Sequence, residues 1–165
     1  MNSSYVSHLL RFGILWLFQT IIIINFPFEK IGINIYPLAL LLLPLEVPHA
    51  ALVAIGFGYG ILVDVFYNSL GLHAGVLVAL AYLRPFVCAA IEPRGGYAVG
   101  QSLSKASHGI AWFLKYSAIM MGIHTLLAVG LDELALSWVW VLRLLLTYVA
   151  SMAFVIIYQY IFNPK

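Results

Sequence analysis

The chain has 165 residues, 64% of them apolar and 8% charged, with a net charge of +2 and a mean hydropathy of +1.02. Soluble domains run at roughly 45–50% apolar and about 25% charged, so a soluble monomer is excluded, and so is intrinsic disorder, which needs low hydrophobicity and high charge. The weak charge excludes a nucleic-acid footprint; the single Cys88 forbids an internal disulfide and a multi-cysteine metal site. What remains is an integral membrane protein with one domain, residues 1–165.

Apolar runs of helical length fall at Leu9–Phe26, Ile35–Leu45, Ala50–Phe66, Leu70–Ile91, Ile110–Leu131 and Leu136–Phe162. A crossing helix needs about 20 largely apolar residues, and the runs lack the alternation of barrel strands. The first, preceded by His8 and followed by Asn25-Phe26-Pro27-Phe28 without a small-x-small site, reads as an uncleaved anchor. The second is short and carries Pro37 and Pro44, with Pro48 just beyond, and reads as a broken or half-membrane helix, tolerable only where protein covers the freed backbone groups. The fold class is therefore an all-α integral membrane protein with six transmembrane helices, or five plus a re-entrant segment.

Basic residues orient the spans. Arg94, Lys105 and Lys115 lie in or beside the loop between runs four and five, and Arg84 can snorkel toward it; Arg11 opens run one and Lys165 follows run six. Lys30 is balanced by Glu29, and the loop holding Asp132 and Glu133 has no base. Both termini and the Glu92–Gly109 loop are expected on the cytoplasmic side of the inner membrane. Arg143, inside run six on the outer side, is expected to snorkel or to pair with Asp132 or Glu133.

Gly56, Gly60 and Asp64 recur every four residues and so share one helix face. Small residues at this spacing let another helix approach closely. Run four repeats the pattern at Gly71, Gly75 and Ala79, and the two small-residue faces are expected to meet across the short connection, with a partner helix as the alternative occupant. A membrane-embedded carboxylate is by default a functional candidate. Asp64 is expected to order the following turn by accepting hydrogen bonds from the backbone or Asn68, rather than to carry a proton, since no histidine or second carboxylate lies within a helical turn of it. Asn68 or Ser69 is expected to cap run four.

His8, His49, His73, His108 and His124 form no His-x3-His pair. His124, mid-span, is expected to bond a backbone carbonyl, Ser or Thr; His8 and His108 are expected in solvent. No nucleophile motif or phosphate-cradling loop is visible, so no catalytic, cofactor or metal residue is assigned.

Leu43-Pro44, Gly56-Phe57-x-x-Gly60-x-x-x-Asp64 and Leu70-Gly71 together resemble the MreD family of rod-shape-determining membrane proteins, over roughly Pro37 to Tyr82. The resemblance implies a non-enzymatic, cofactor-free component of the cell-elongation machinery. Its expected partner is MreC, with RodA, a class B penicillin-binding transpeptidase and MreB in the same assembly. It also implies an architecture like the membrane subunit of energy-coupling-factor vitamin transporters. The packing or partner residues would be Gly56, Gly60, Asp64, Gly71 and Gly75, with Asn68 and Pro44 organising the interface. The alternative is a small-molecule binding transporter subunit, which would need Asn34, Asp64, Asn68 and His73 to converge on one outer-side pocket.

Overall fold

A computed structural model describes residues 2–25, 32–97, 100, 102–133 and 137–162. Glu29, Lys30, Leu136, Lys165 and the Phe26-Pro27-Phe28 stretch lie outside them. The regular structure among the described residues is helical, with one isolated backbone bridge between Pro44 and Ser102. The elements are α1 (Asn2–Asn25), α2 (Pro37–Leu41), α3 (His49–Tyr67), α4 (Leu72–Ala90), α5 (Lys105–His108), α6 (Ile110–Asp132) and α7 (Trp138–Phe162). Among the described residues four helices, α3, α4, α6 and α7, are long and apolar enough to cross a membrane. The shorter apolar stretch Ser7–Ile22 lies within α1.

The exterior confirms the solvent that composition demands. On α7 the buried residues are Thr147, Ser151, Val155 and Gln159, one face at a spacing of four. Three of the four are polar, while Val139, Leu142, Leu145, Val149, Ile157 and Ile161 are exposed. A helix with its polar stripe inward and its apolar surface outward is built for lipid, where polar side chains hold helices together.

The helices define two ends. The α3–α4 turn and the C-terminus of α6 lie at one, here the turn end; the segment 91–109 lies at the other, the loop end. The stretch from Gly32 to Pro48 runs between them. The Gly32 amide donates to Thr147 Oγ1 at 3.2 Å near the turn end, whereas Pro44 pairs with Ser102 and Glu46 accepts the Gly100 amide at the loop end. Only the five residues of α2 are helical along this path, and all are buried. Pro37 opens α2, where its missing N–H costs nothing; Pro44 and Pro48 block any extension. The second run is thus a broken pass through the core and not a crossing helix.

The α3–α4 hairpin is the most extensively packed helix pair. α3 stops because Asn68 adopts the left-handed conformation, φ 52°, with its N–H on the Asp64 carbonyl. Asn tolerates that region better than most residues. Gly71, φ 86°, then starts α4.

Candidate functional site

The glycine face of α3 meets α4, but not as the spacing predicted. A Cβ on Gly56 would lie 3.0 Å from the Leu77 carbonyl oxygen and 3.3 Å from Ala81 Cβ. One on Gly60 would lie 2.7 Å from the Ala74 nitrogen and 2.9 Å from the His73 oxygen, backbone atoms that cannot swing away. The facing residues are therefore Ala74, Leu77 and Ala81. Gly71 and Gly75 have nothing within 4 Å of an added Cβ and do not face α3. Gly71 is spent on the left-handed turn, and that turn sets the rotation of α4 so that Gly75 points outward.

Asp64 closes the same hairpin. Its Oδ1 accepts Ser69 Oγ at 2.5 Å and the His73 amide at 2.9 Å; Oδ2 accepts the Ala74 amide at 2.9 Å. The carboxylate thus occupies the N-terminus of α4, where two otherwise unpaired amides and the helix dipole favour an anion. Asn68 contributes its backbone alone; the donor is Ser69. His73 Nδ1 also lies 2.9 Å from Asp64 Oδ1, so Asp64 does have a histidine partner, nine positions along the chain and brought back by the turn.

A second polar constellation surrounds the broken pass. At its N-terminal side Gln19 of α1 accepts the Ile35 amide at 2.8 Å and donates to the Ile33 carbonyl at 2.8 Å and to Tyr67 Oη at 2.6 Å. Ser151 of α7 accepts the Asn34 amide at 2.9 Å. At its C-terminal side Arg84 of α4 donates to the Leu43 carbonyl and, at 3.5 Å, to those of Leu41 and Pro44. Its Nε donates to Tyr116 Oη at 3.0 Å, and Tyr116 in turn donates to Leu41 O at 3.0 Å. Arg84 does not snorkel: it is 1% exposed, held by the carbonyl end of α2, where a helix dipole favours a cation. Pro44, expected to organise an interface, serves here as a carbonyl under this guanidinium. Without water, such side-chain partners are what irregular backbone at membrane depth requires. Gln19, Arg84, Tyr116, Thr147 and Ser151 were not singled out as site residues from the sequence; the available signal was a polar side chain inside each apolar run beside a proline-broken run.

Other polar residues sort by end. His124 Nε2 lies 2.7 Å from Tyr36 Oη, a phenol in place of the expected carbonyl, Ser or Thr. Arg143 pairs with Asp132 at 2.6 Å and with Glu133 at 3.0 Å, as its position between those acids implied. His108 is not free in solvent: its ring packs 4.6 Å from Trp112 and 5.4 Å from Tyr97, and burial lowers its pKa from the ordinary histidine value. Tyr97 donates to the Cys88 carbonyl at 2.7 Å, and burial pushes its phenol up to about 12.

A cleft of about 780 Å³ lies between α1 and α3 toward the loop end, lined mainly by apolar groups of Leu9, Phe12, Leu43, Ile55, Tyr59 and Leu62. A smaller cavity of about 160 Å³ at the turn end is lined by Asn34, Tyr67, His73, Asp132, Arg143 and Thr147 together with apolar groups of Leu72, Ala128 and Val129. Of the four residues the transporter alternative needs, Asn34 and His73 line this cavity, Asp64 stands behind His73, and Asn68 is absent from its walls. No protein-family model matches this chain, and no curated protein or solved structure does either.

Proposed function

We propose that this chain is a non-enzymatic membrane component of the bacterial cell-elongation machinery, acting on cell shape and peptidoglycan synthesis through an MreC-like bitopic partner. The reading rests on the resemblance of the Leu43–Gly71 motifs to the MreD family. The observation that carries it further is the apolar cleft between α1 and α3. The motif glycines and Asp64 are consumed in fixing α3 to α4, and α1 touches the other side of α3 through Phe12 on Tyr59 and Trp16 on Phe66, which leaves much of that side exposed. Ile55, Phe57, Ile61, Leu62, Val65 and Phe66 are exposed there, continuous with the cleft. One transmembrane helix laid along α3 would bury this face by the packing forces that operate in lipid. RodA, a class B penicillin-binding transpeptidase and MreB belong to the same proposed assembly. The proposed topology has six passes, the second one broken, with both termini and the 92–109 loop cytoplasmic. It is supported by Arg94, Lys105 and Lys115 at the loop end, the side that basic residues mark.

The test is copurification of MreC with the full-length protein. Leu9→Trp and Leu62→Trp fill the cleft from its two walls and are expected to lose MreC while the protein still accumulates; Val149→Trp, on the exposed back of α7, is expected to retain it. Retention of MreC by both cleft variants, or its absence from the unaltered protein, contradicts the proposal.

A second reading, a small-molecule binding subunit of a transporter, is favoured by one observation, the polar cavity at the turn end. It predicts an energising ATPase in the same copurification, in place of MreC.

A further inference from the structure

The turn-end cavity has properties that neither helix packing nor backbone satisfaction requires. His73 is nine-tenths buried, yet only its Nδ1 is used. A carboxylate can only accept, so in the neutral ring the contact with Asp64 places the proton on Nδ1 and leaves a lone pair on Nε2. That nitrogen makes no hydrogen bond among the described residues, and His73 lines the cavity. A carboxylate placed in this way fixes the tautomer and orientation of a histidine ring.

A further wall presents an unused donor. Thr147 Oγ1 accepts the Gly32 amide, which leaves its own proton free. Arg143 gives Nη1 and Nη2 to Glu133 and Asp132. Among the described residues the charges around the cavity are Asp64, Asp132 and Glu133 against Arg143, and these favour a cation. The volume of about 160 Å³ is well below the roughly 300–1,000 Å³ of pockets for drug-sized ligands. Asp132, half exposed, places the mouth at the surface of the turn end.

We infer that this cavity binds a small ligand carrying a primary ammonium next to an oxygen acceptor, an ethanolamine-type group. The ammonium donates to His73 Nε2 and Asp132, and the oxygen accepts from Thr147 Oγ1. The group can arrive as a free amino alcohol or as the head of a phospholipid lying against the turn end. The inference stands on the cavity alone; its failure leaves the elongation proposal intact, because the α1–α3 cleft is a separate surface.

The test is a titration of the purified full-length protein, labelled with ¹⁵N-histidine, in detergent. Ethanolamine is expected to shift one imidazole Nε2 resonance of the five histidines saturably, and that resonance disappears in His73→Gln. Choline, which has no N–H, and acetate, which is an anion, are expected to leave it in place. Asp132→Asn is expected to weaken the ethanolamine response several-fold. In nanodiscs without added amine, the same shift in phosphatidylethanolamine but not in phosphatidylcholine identifies a lipid source; its presence with free ethanolamine alone identifies a soluble one. No saturable shift from either source, or an equal shift from choline or acetate, overturns the inference. Should His73→Gln fail to fold, the unaltered protein still decides, because only one resonance is expected to move.

Discussion

Two regions meet the same difficulty, backbone groups without helical partners inside a membrane protein, and meet it in opposite ways. At the α3–α4 turn a single carboxylate, Asp64, satisfies the His73 and Ala74 amides together with Ser69, all within ten residues. Around the broken pass the partners come from four other helices: Gln19 from α1, Arg84 from α4, Tyr116 from α6 and Ser151 from α7. The turn is a local device that can form as soon as its two helices touch. The broken pass is a global one, formed only when the whole bundle has assembled. Damage to the turn should therefore loosen one hairpin, whereas damage to the cradle should unmake the core.

The largest effect is expected at Arg84. Arg84→Met leaves the Leu43 and Pro44 carbonyls without their Arg84 donor, at about 1–3 kcal/mol for each buried group left unsatisfied. The variant is expected to lose its cooperative thermal transition in detergent. Arg84→Lys keeps the charge but not the planar fork and is expected to melt between the two. A melting point for Arg84→Met equal to that of the unaltered protein would show that the cradle is dispensable and reverse the comparison.

Gly60 comes next. Gly60→Leu drives a side chain into the Ala74 and His73 backbone; overpacking typically costs about 1–3 kcal/mol. Gly58→Leu, with nothing within 4 Å, is expected to be neutral. The two variants side by side, scored by folded yield and melting temperature, separate close contact from general intolerance of bulk on α3; equal behaviour would remove the close-contact account of the glycine face.

Asp64 sharpens the local half. Asp64→Leu removes both acceptors and is expected to lower the melting temperature clearly, since lost N-caps cost about 0.5–2 kcal/mol. Asp64→Asn keeps one oxygen and is expected to retain most of the stability and MreC copurification. Should Asn prove as damaging as Leu in a protein that still folds, the negative charge itself, and with it the His73 contact, is what matters at this position.

What the sequence disclosed follows the same division. The membrane class, the helical runs, the glycine face of α3, the ordering role of Asp64 and the Arg143 pairing all depend on composition or on residues within about a dozen positions. The Asp64–His73 contact spans nine positions, more than one helical turn, because a left-handed Asn68 and Gly71 fold the chain back. Gly75 was misplaced because a four-residue spacing identifies a face without saying which way it points. The partners of Gly32 and Asn34 lie 115 and 117 residues away, beyond any periodicity. On an isolated helix a long cationic side chain reaches toward the interface; the nearby carbonyl end of α2, invisible in sequence, retains Arg84 in the core.

The central claim is that the pass from Gly32 to Pro48 is a fixed part of the core, held by side chains and not by its own helix. Amide hydrogen exchange of the full-length protein in nanodiscs tests this directly, since protection reports the free energy of local opening. The amides of Asn34, Ile35 and Leu42 are expected to exchange as slowly as those in the middle of α3. Gln19→Leu is expected to speed exchange at Ile35 while leaving α3 unchanged. Exchange of Asn34, Ile35 and Leu42 as fast as that of Gly95 and Gly96 in the loop-end segment would contradict the claim.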